Sequence, residues 1–155
     1  MNFMDALNTR AGDIEKPKNV PVGTYLWKVT KAHKERNISK GEWNVIDIPV
    51  VPFAVDDVAN DVDPDDLELF GALSQGGNNI TFMFPTAQDK AADFAKTLYA
   101  LRKFLLDVLR VDGDEDSTVK ELLAKSIGCE FRAQAAHRTV GDDTFVDVKS
   151  YMALD

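Results

Sequence analysis

Cysteine is almost absent from this sequence: Cys129 stands alone among 155 residues. A single thiol closes no internal disulfide, and with only two histidines, His33 and His137, no cysteine or histidine pair has the spacing of a zinc site. Long apolar runs are missing too, and none reaches the roughly eighteen residues that a membrane helix requires. The opening MNFMDALNTRAGD carries acids and no apolar stretch long enough for a secretory signal. Basic residues are in deficit, 18 Lys and Arg against 26 Asp and Glu, for a net charge of −8. These absences predict a cytoplasmic protein, at home in a reducing compartment, with no disulfide framework, no metal and no membrane segment.

What is present is enough for one core. The composition is 45% hydrophobic, and nine Phe, two Trp and three Tyr are spread from Phe3 to Tyr151, so no long stretch has the composition of a disordered region. A uniform charge of −8 would argue against a polyanionic partner, because such binding is driven by neutralising phosphates. The charge is not uniform. Lys28, Lys31, Lys34, Arg36 and Lys40 face only Glu35 in their segment, whereas Asp56, Asp57, Asp61, Asp63, Asp65, Asp66 and Glu68 follow one another with no base. A bound partner feels the local field, since screening cuts off charges beyond about 8 to 10 Å.

Periodicity divides the chain into an arm at residues 1–19 and one domain at 20–155. Tyr25, Trp27 and Val29 alternate with Leu26, Lys28 and Thr30, which predicts a strand over 23–34 with the first set facing the core. A polar loop at 34–41 leads to a second strand at 42–51, with Ile46, Ile48 and Val50 inward, Trp43, Val45 and Asp47 outward, and an edge or bulge near Pro49. Residues 55–77 form an acidic loop punctuated by Pro64, Gly71, Gly76 and Gly77, with one helical turn at 64–72. Ile80, Phe82 and Phe84 mark a third strand at 79–84. Thr86 with Asp89 resembles a capping box for a helix over 87–110, whose Phe94, Leu98, Leu101, Leu105 and Val108 recur at spacings of three and four. Thr118 with Glu121 caps a shorter helix over 118–127 that buries Val119, Leu122, Leu123 and Ile127 and stops at Gly128. Two strands at 129–138 and 144–151 close the chain as a hairpin around TVGDD.

Three strands, a helical insertion and a hairpin give a mainly β fold with inserted helices (α+β), in the layout of an OB-fold-like five-stranded barrel with a helix pair between strands three and four. The segments VPVGTYLWKVTKAHKE, ADFAKTLYALRKFLLDVL and KSIGCEFRAQAAHRTVGDDTFVDVKSYM together resemble the bacteriophage single-stranded DNA-binding proteins with an OB-fold. The resemblance spans most of residues 20–152, through a Pro-x-Gly-x-Tyr strand opening, a helix pair before a Gly-containing turn and a closing Val-Asp-Val-Lys strand. It implies sequence-independent binding of single strands in DNA replication or recombination, in the host cytoplasm, with phage or host replication and recombination proteins and further copies of the chain as partners. Two departures are the length of the acidic loop and the ending SYMALD, which lacks an extended acidic tail.

Such binding requires cations that track phosphates and exposed aromatic faces for bases. The candidates are Lys28, Lys34, Arg36, Lys40, Trp43, Arg132, Arg138, Phe145, Lys149 and Tyr151. Trp43 follows the basic loop at outward parity, and Phe145, Lys149 and Tyr151 share the outward parity of the last strand. Plainer readings stand beside these: the loop cations as a solvated surface, Trp43 as a cap of the barrel end and Tyr151 as a residue lying under the N-terminal arm. Cys129 reads as a small apolar residue rather than a nucleophile. The aspartate run lacks the spacing of a calcium loop and the Lys or His of a metal-dependent nuclease. No catalytic residue and no cofactor is therefore assigned. The rival reading is an acidic protein-interaction module, or a DNA mimic that inhibits a host DNA-binding enzyme, served by the net negative charge.

Overall fold

The computed structural model describes residues 2–14, 19–70 and 78–154. Its elements are α1 (Phe3–Leu7), β1 (Gly23–Val29), β2 (Lys34–Ile38), β3 (Trp43–Val55), α2 (Pro64–Phe70), β4 (Asn78–Pro85), α3 (Ala91–Lys103), α4 (Val119–Lys125), β5 (Glu130–Val140) and β6 (Asp143–Met152). All strand pairs are antiparallel and form one six-stranded sheet ordered β2-β3-β1-β5-β6, with β4 paired to β3. The long β3 organises it. Its first half pairs with β2, its second half with β1, and β4 runs along its opposite edge. The sheet is open: β4 and β6 approach each other, but no ladder joins them among the described residues.

Alternation decides which side of each strand is buried. Tyr25, Trp27 and Val29 point inward, as their parity predicts, and meet Ile48, Val50, Ile80, Phe82, Phe131 and Ala133 in one core. The two polar tips in that core have partners, as buried donors require. The Trp27 indole N–H donates to the Ala133 carbonyl at 3.0 Å and the Tyr25 hydroxyl to the Pro21 carbonyl at 2.7 Å. Phe104 is the hub from the helical side, with ring centroids 5.5 Å from Phe131, 5.3 Å from Tyr151 and 5.9 Å from Phe82.

Several sequence-based expectations change. The first strand stops at Val29, and the basic loop is half strand: Lys34–Ile38 pairs with Trp43–Asp47, giving six strands rather than five. The burial pattern of β2 has no inward set, so alternation had nothing to reveal. β3 runs on to Val55, and its bulge falls at Phe53, which has no partner because the β1 register shifts from Leu26 opposite Ala54 to Trp27 opposite Pro52, rather than at Pro49. Thr86 does not cap α3, whose N-cap is Lys90; its hydroxyl instead donates to the Gly41 carbonyl at 2.7 Å and ties the end of β4 to the β2–β3 turn. The long helix buries only its second half, Leu101, Phe104, Leu105 and Leu109, while Phe94 and Leu98 remain 42% and 39% exposed. A π-turn at Phe104–Val108, in which Leu109 N donates to Phe104 O at 2.9 Å, adds a residue to the last turn and keeps Leu109 inside. The Thr118–Glu121 capping box of α4 is present, although Ile127 beyond it is exposed.

The acidic segment after β3 is anchored rather than loose. Asp61 accepts from the Thr24 backbone at 2.6 Å and from its hydroxyl at 2.7 Å, and Asp56 lies 2.5 Å from Arg132 Nε as a buried ion pair. Next to Asp61, Val62 is buried against Gly23, where a Cβ would collide with Val62 Cγ2. Gly23 also has φ of +151°, so both space and backbone demand glycine there. The rest of the expected loop, 71–77 with Gly71, Gly76 and Gly77, lies outside the described residues, as do residues 15–18 of the arm. Among the described residues no helix is long and apolar enough to cross a membrane.

Candidate nucleic-acid interface

Directly paired residues of antiparallel strands share a face. The registers of β2, β3 and β4 therefore build three rows on the outer side of the sheet: Lys34, Asp47 and Thr81; Arg36, Val45 and Met83; Ile38, Trp43 and Pro85. The patch has cations along the β2 edge, an indole at one corner and apolar side chains in the middle. Val45 and Asp47 have the outward parity expected of them yet are buried, because the neighbouring strands close over them.

Asp47 is the electrostatic centre of this patch. Its carboxylate takes the Arg36 guanidinium at 2.5 Å and the Thr81 hydroxyl at 2.7 Å. Burial alone would raise its pKa, but those hydrogen bonds, with the charges of Arg36 and Lys34, outweigh burial and hold it below the ordinary carboxylate value. The carboxylate holds the Arg36 guanidinium and neutralises part of its charge. Lys34 and Lys40 are exposed on the same hairpin.

Trp43 is half-buried, and the Lys90 ammonium lies 5.6 Å from its ring centroid. That geometry is a cation–π contact, and it places a further base beside the indole from a different element. Lys90 is not among the residues that charge and parity pick out. It arrives there because Trp43 pairs with Pro85, which brings the turn after β4 next to the indole. The turn at Ser39–Gly41 carries Lys40 with φ of +56°, after Ser39 at +52°, so the basic tip is held in a left-handed conformation that non-glycine residues rarely adopt.

The other candidates divide. On the β5–β6 hairpin, Arg138 sits opposite Phe145, its guanidinium carbon 5.2 Å from the ring centroid, and also pairs with Asp147 at 3.1 Å. Phe145 and Lys149 are exposed at outward parity. Tyr151 is not: the β5–β6 register shifts between Arg132 and Gln134, Ser150 takes φ of +58°, and this bulge turns Tyr151 inward onto Phe104 and Phe131. Burial, then the nearby Asp147 charge, raises its hydroxyl pKa. Arg132 is likewise withdrawn from the surface by its ion pair with Asp56. Lys28 is exposed on β1 between Val51 and Glu130, which puts it on the same outer face, four residues along β3 from the Lys34–Asp47–Thr81 row. Sequence reasoning thus groups Lys34, Arg36, Lys40 and Trp43 on what is one β-hairpin, and misses Lys90, Asp47 and Thr81 as their neighbours.

No group of three or more His, Cys, Asp or Glu side chains among the described residues converges to hold a metal ion. The Cys129 thiol is half-buried, donates to the Lys125 carbonyl at 3.6 Å, and is pushed up in pKa by burial. In comparisons with known proteins, no family model and no curated protein matches the chain.

Proposed function

We propose that this protein has an OB-fold-like architecture and binds single-stranded DNA without sequence preference, serving phage DNA replication or recombination in the host cytoplasm. The observation that carries the reading is the outer patch of β2, β3 and β4, where half-buried Trp43 lies with Lys90 beside its ring and Lys34, Arg36 and Lys40 on the same hairpin. An indole offers any base a π-face, and flanking cations take the phosphates on either side, which is the chemistry of a sequence-tolerant strand-binding surface. Support for the architecture comes from β1 lying between β3 and β5, from α3 and α4 falling between β4 and β5, and from the approach of β4 to β6. Arg138 over Phe145 repeats the cation-and-ring pairing on the last hairpin and extends the candidate surface.

Titration of fluorescently labelled oligo-dT at two salt concentrations tests the reading. The expected result is saturable binding that weakens as salt rises, because released counterions drive it. Absence of binding at low salt would defeat it. Displacement of DNA from a host enzyme by a protein that itself binds no strand would establish the acidic interaction module instead. The structure bears on that rival: Asp56 and Asp61 are committed to Arg132 and Thr24, so two of the acids in the run are unavailable to an outward-facing mimic.

A further inference from the structure

The arm begins with a helix whose apolar side chains none of the described residues covers. In α1 the Asn2 side chain and Asp5 form a complete capping box, yet Phe3, Met4 and Leu7 are 76%, 62% and 62% exposed. Five residues are too few for a stable helix in water, where isolated helices shorter than about 12 to 15 residues are marginal. Phe3 and Leu7, four apart, share one face with Met4 beside them. A short, well-capped helix with an apolar stripe is a shape suited to a groove.

The domain has such a groove, and its own core does not fill it. Between the exposed side of α3 and the segment that leads into α4 lies a cleft of about 380 Å³, walled by Leu98, Tyr99, Leu106, Val119 and Leu122. Tyr99 is 59% exposed and Leu98 remains open along the same wall. The rim is charged in two parts: Arg102 on the α3 side, Asp114 and Glu115 on the other. The arm carries the matching signs, Asp5 within α1 and Arg10 just after it. At the domain end the arm is fastened, since Asn19 donates to the Thr144 carbonyl at 2.9 Å and His137 meets the Val20 carbonyl at 2.7 Å. The stretch from Leu7 to Asn19 can span at most about 40 Å when extended.

We propose that α1 of one copy docks in the α3–α4 groove of a second copy, with Phe3 and Leu7 against Leu98, Tyr99 and Val119, Asp5 towards Arg102 and Arg10 towards Asp114 and Glu115. The contact is heterologous, an arm of one copy against a groove of the other, so it closes as a reciprocal pair or continues as a chain. It is independent of DNA binding and involves none of the residues of the outer patch.

Sedimentation velocity of the full chain over a hundredfold concentration range tests it. Three preparations are compared: the wild-type protein, the arm variant Phe3→Asp/Leu7→Asp and the groove variant Tyr99→Glu. All three altered side chains are exposed, so the variants keep the fold, which circular dichroism verifies. The expected result is self-association of the wild type that weakens at least tenfold in each variant. Mixing the two variants restores a dimer, because one supplies an intact groove and the other an intact arm. A wild type that stays monomeric throughout, association that persists unchanged in the arm variant, or a mixture that fails to associate would each overturn the proposal. The first outcome, together with arm cleavage by protease that quickens in Tyr99→Glu, would show that the groove takes the arm of its own copy.

Discussion

At the scale of single residues, the two tryptophans have opposite surroundings, and that makes the binding surface measurable. Trp27 is buried and hydrogen-bonded; Trp43 is half-buried on the outer face. Quenching of fluorescence on addition of oligo-dT should therefore come from Trp43. Trp43→Ala should abolish the quenching and weaken binding by about 1 to 3 kcal/mol, while Trp43→Phe retains part of the affinity. Undiminished affinity in a folded Trp43→Ala protein would move the stacking surface to Phe145. Tyr25 links stability to pH, because its hydroxyl is pushed up to about 12 by burial and then by the charges of Asp61 and Asp66. A folded pKa above the unfolded value of about 10 means that this contribution is complete below pH 10 and disappears as pH rises towards 12. Thermal melts from pH 9 to 12 should show a steeper fall for the wild type than for Tyr25→Phe, and parallel curves would show that the hydroxyl is not coupled to folding.

At the scale of elements, packing explains which parts of the sequence were readable. Strands with one wet and one dry side were legible: Tyr25, Trp27 and Val29 on β1, and Ile80, Phe82 and Phe84 on β4, are buried as alternation indicates. β2 was not, because all five of its residues avoid the core and its reason to be extended is its ladder with β3. The helix period found the existence of α3 but not how deep each turn sits. Leu98 and Leu105 occupy equivalent places in the repeat, yet one lines an open groove and the other is buried. Leu105→Ala should therefore cost about 2 to 5 kcal/mol in a thermal or urea melt, and Leu98→Ala well under half of that. Equal effects would mean that the first half of α3 is packed as tightly as the second. Among the site residues, Lys34, Arg36, Lys40 and Trp43 were found from charge and parity. Lys90 and the Asp47–Thr81 pair escaped because their roles arise when strands 34 or more residues apart in sequence come into register.

At the scale of the whole molecule, a chain of net charge −8 must concentrate its cations to meet a polyanion. Lys34→Glu with Lys40→Glu should lower affinity for oligo-dT and flatten its dependence on salt, measured as the slope of log affinity against log salt concentration. Each phosphate that is no longer neutralised removes about 0.7 from that slope for a single strand. Arg36→Glu should change the slope less than either lysine, since Asp47 already neutralises much of its charge. An unaltered slope in the double variant would place the phosphates elsewhere.

The bulge at Ser150 also gives the last strand a spare residue. Lys149 pairs with Gln134 and Met152 with Arg132, so Ser150 and Tyr151 together stand opposite Ala133 alone. Deleting a residue from a strand ordinarily exchanges the two faces beyond the cut. Deleting Ser150 should not, because Tyr151 would then follow Lys149 directly, face Ala133 from the inner side and keep its seat on Phe104 and Phe131. The strained left-handed backbone would go with it. Deleting Val148 instead would straighten the same strand only by bringing the Lys149 ammonium to the buried place opposite Ala135. Urea melts of the two one-residue deletions should therefore separate sharply, near wild type for Ser150 and strongly destabilised for Val148, and equal midpoints would show that the strand keeps no such slack.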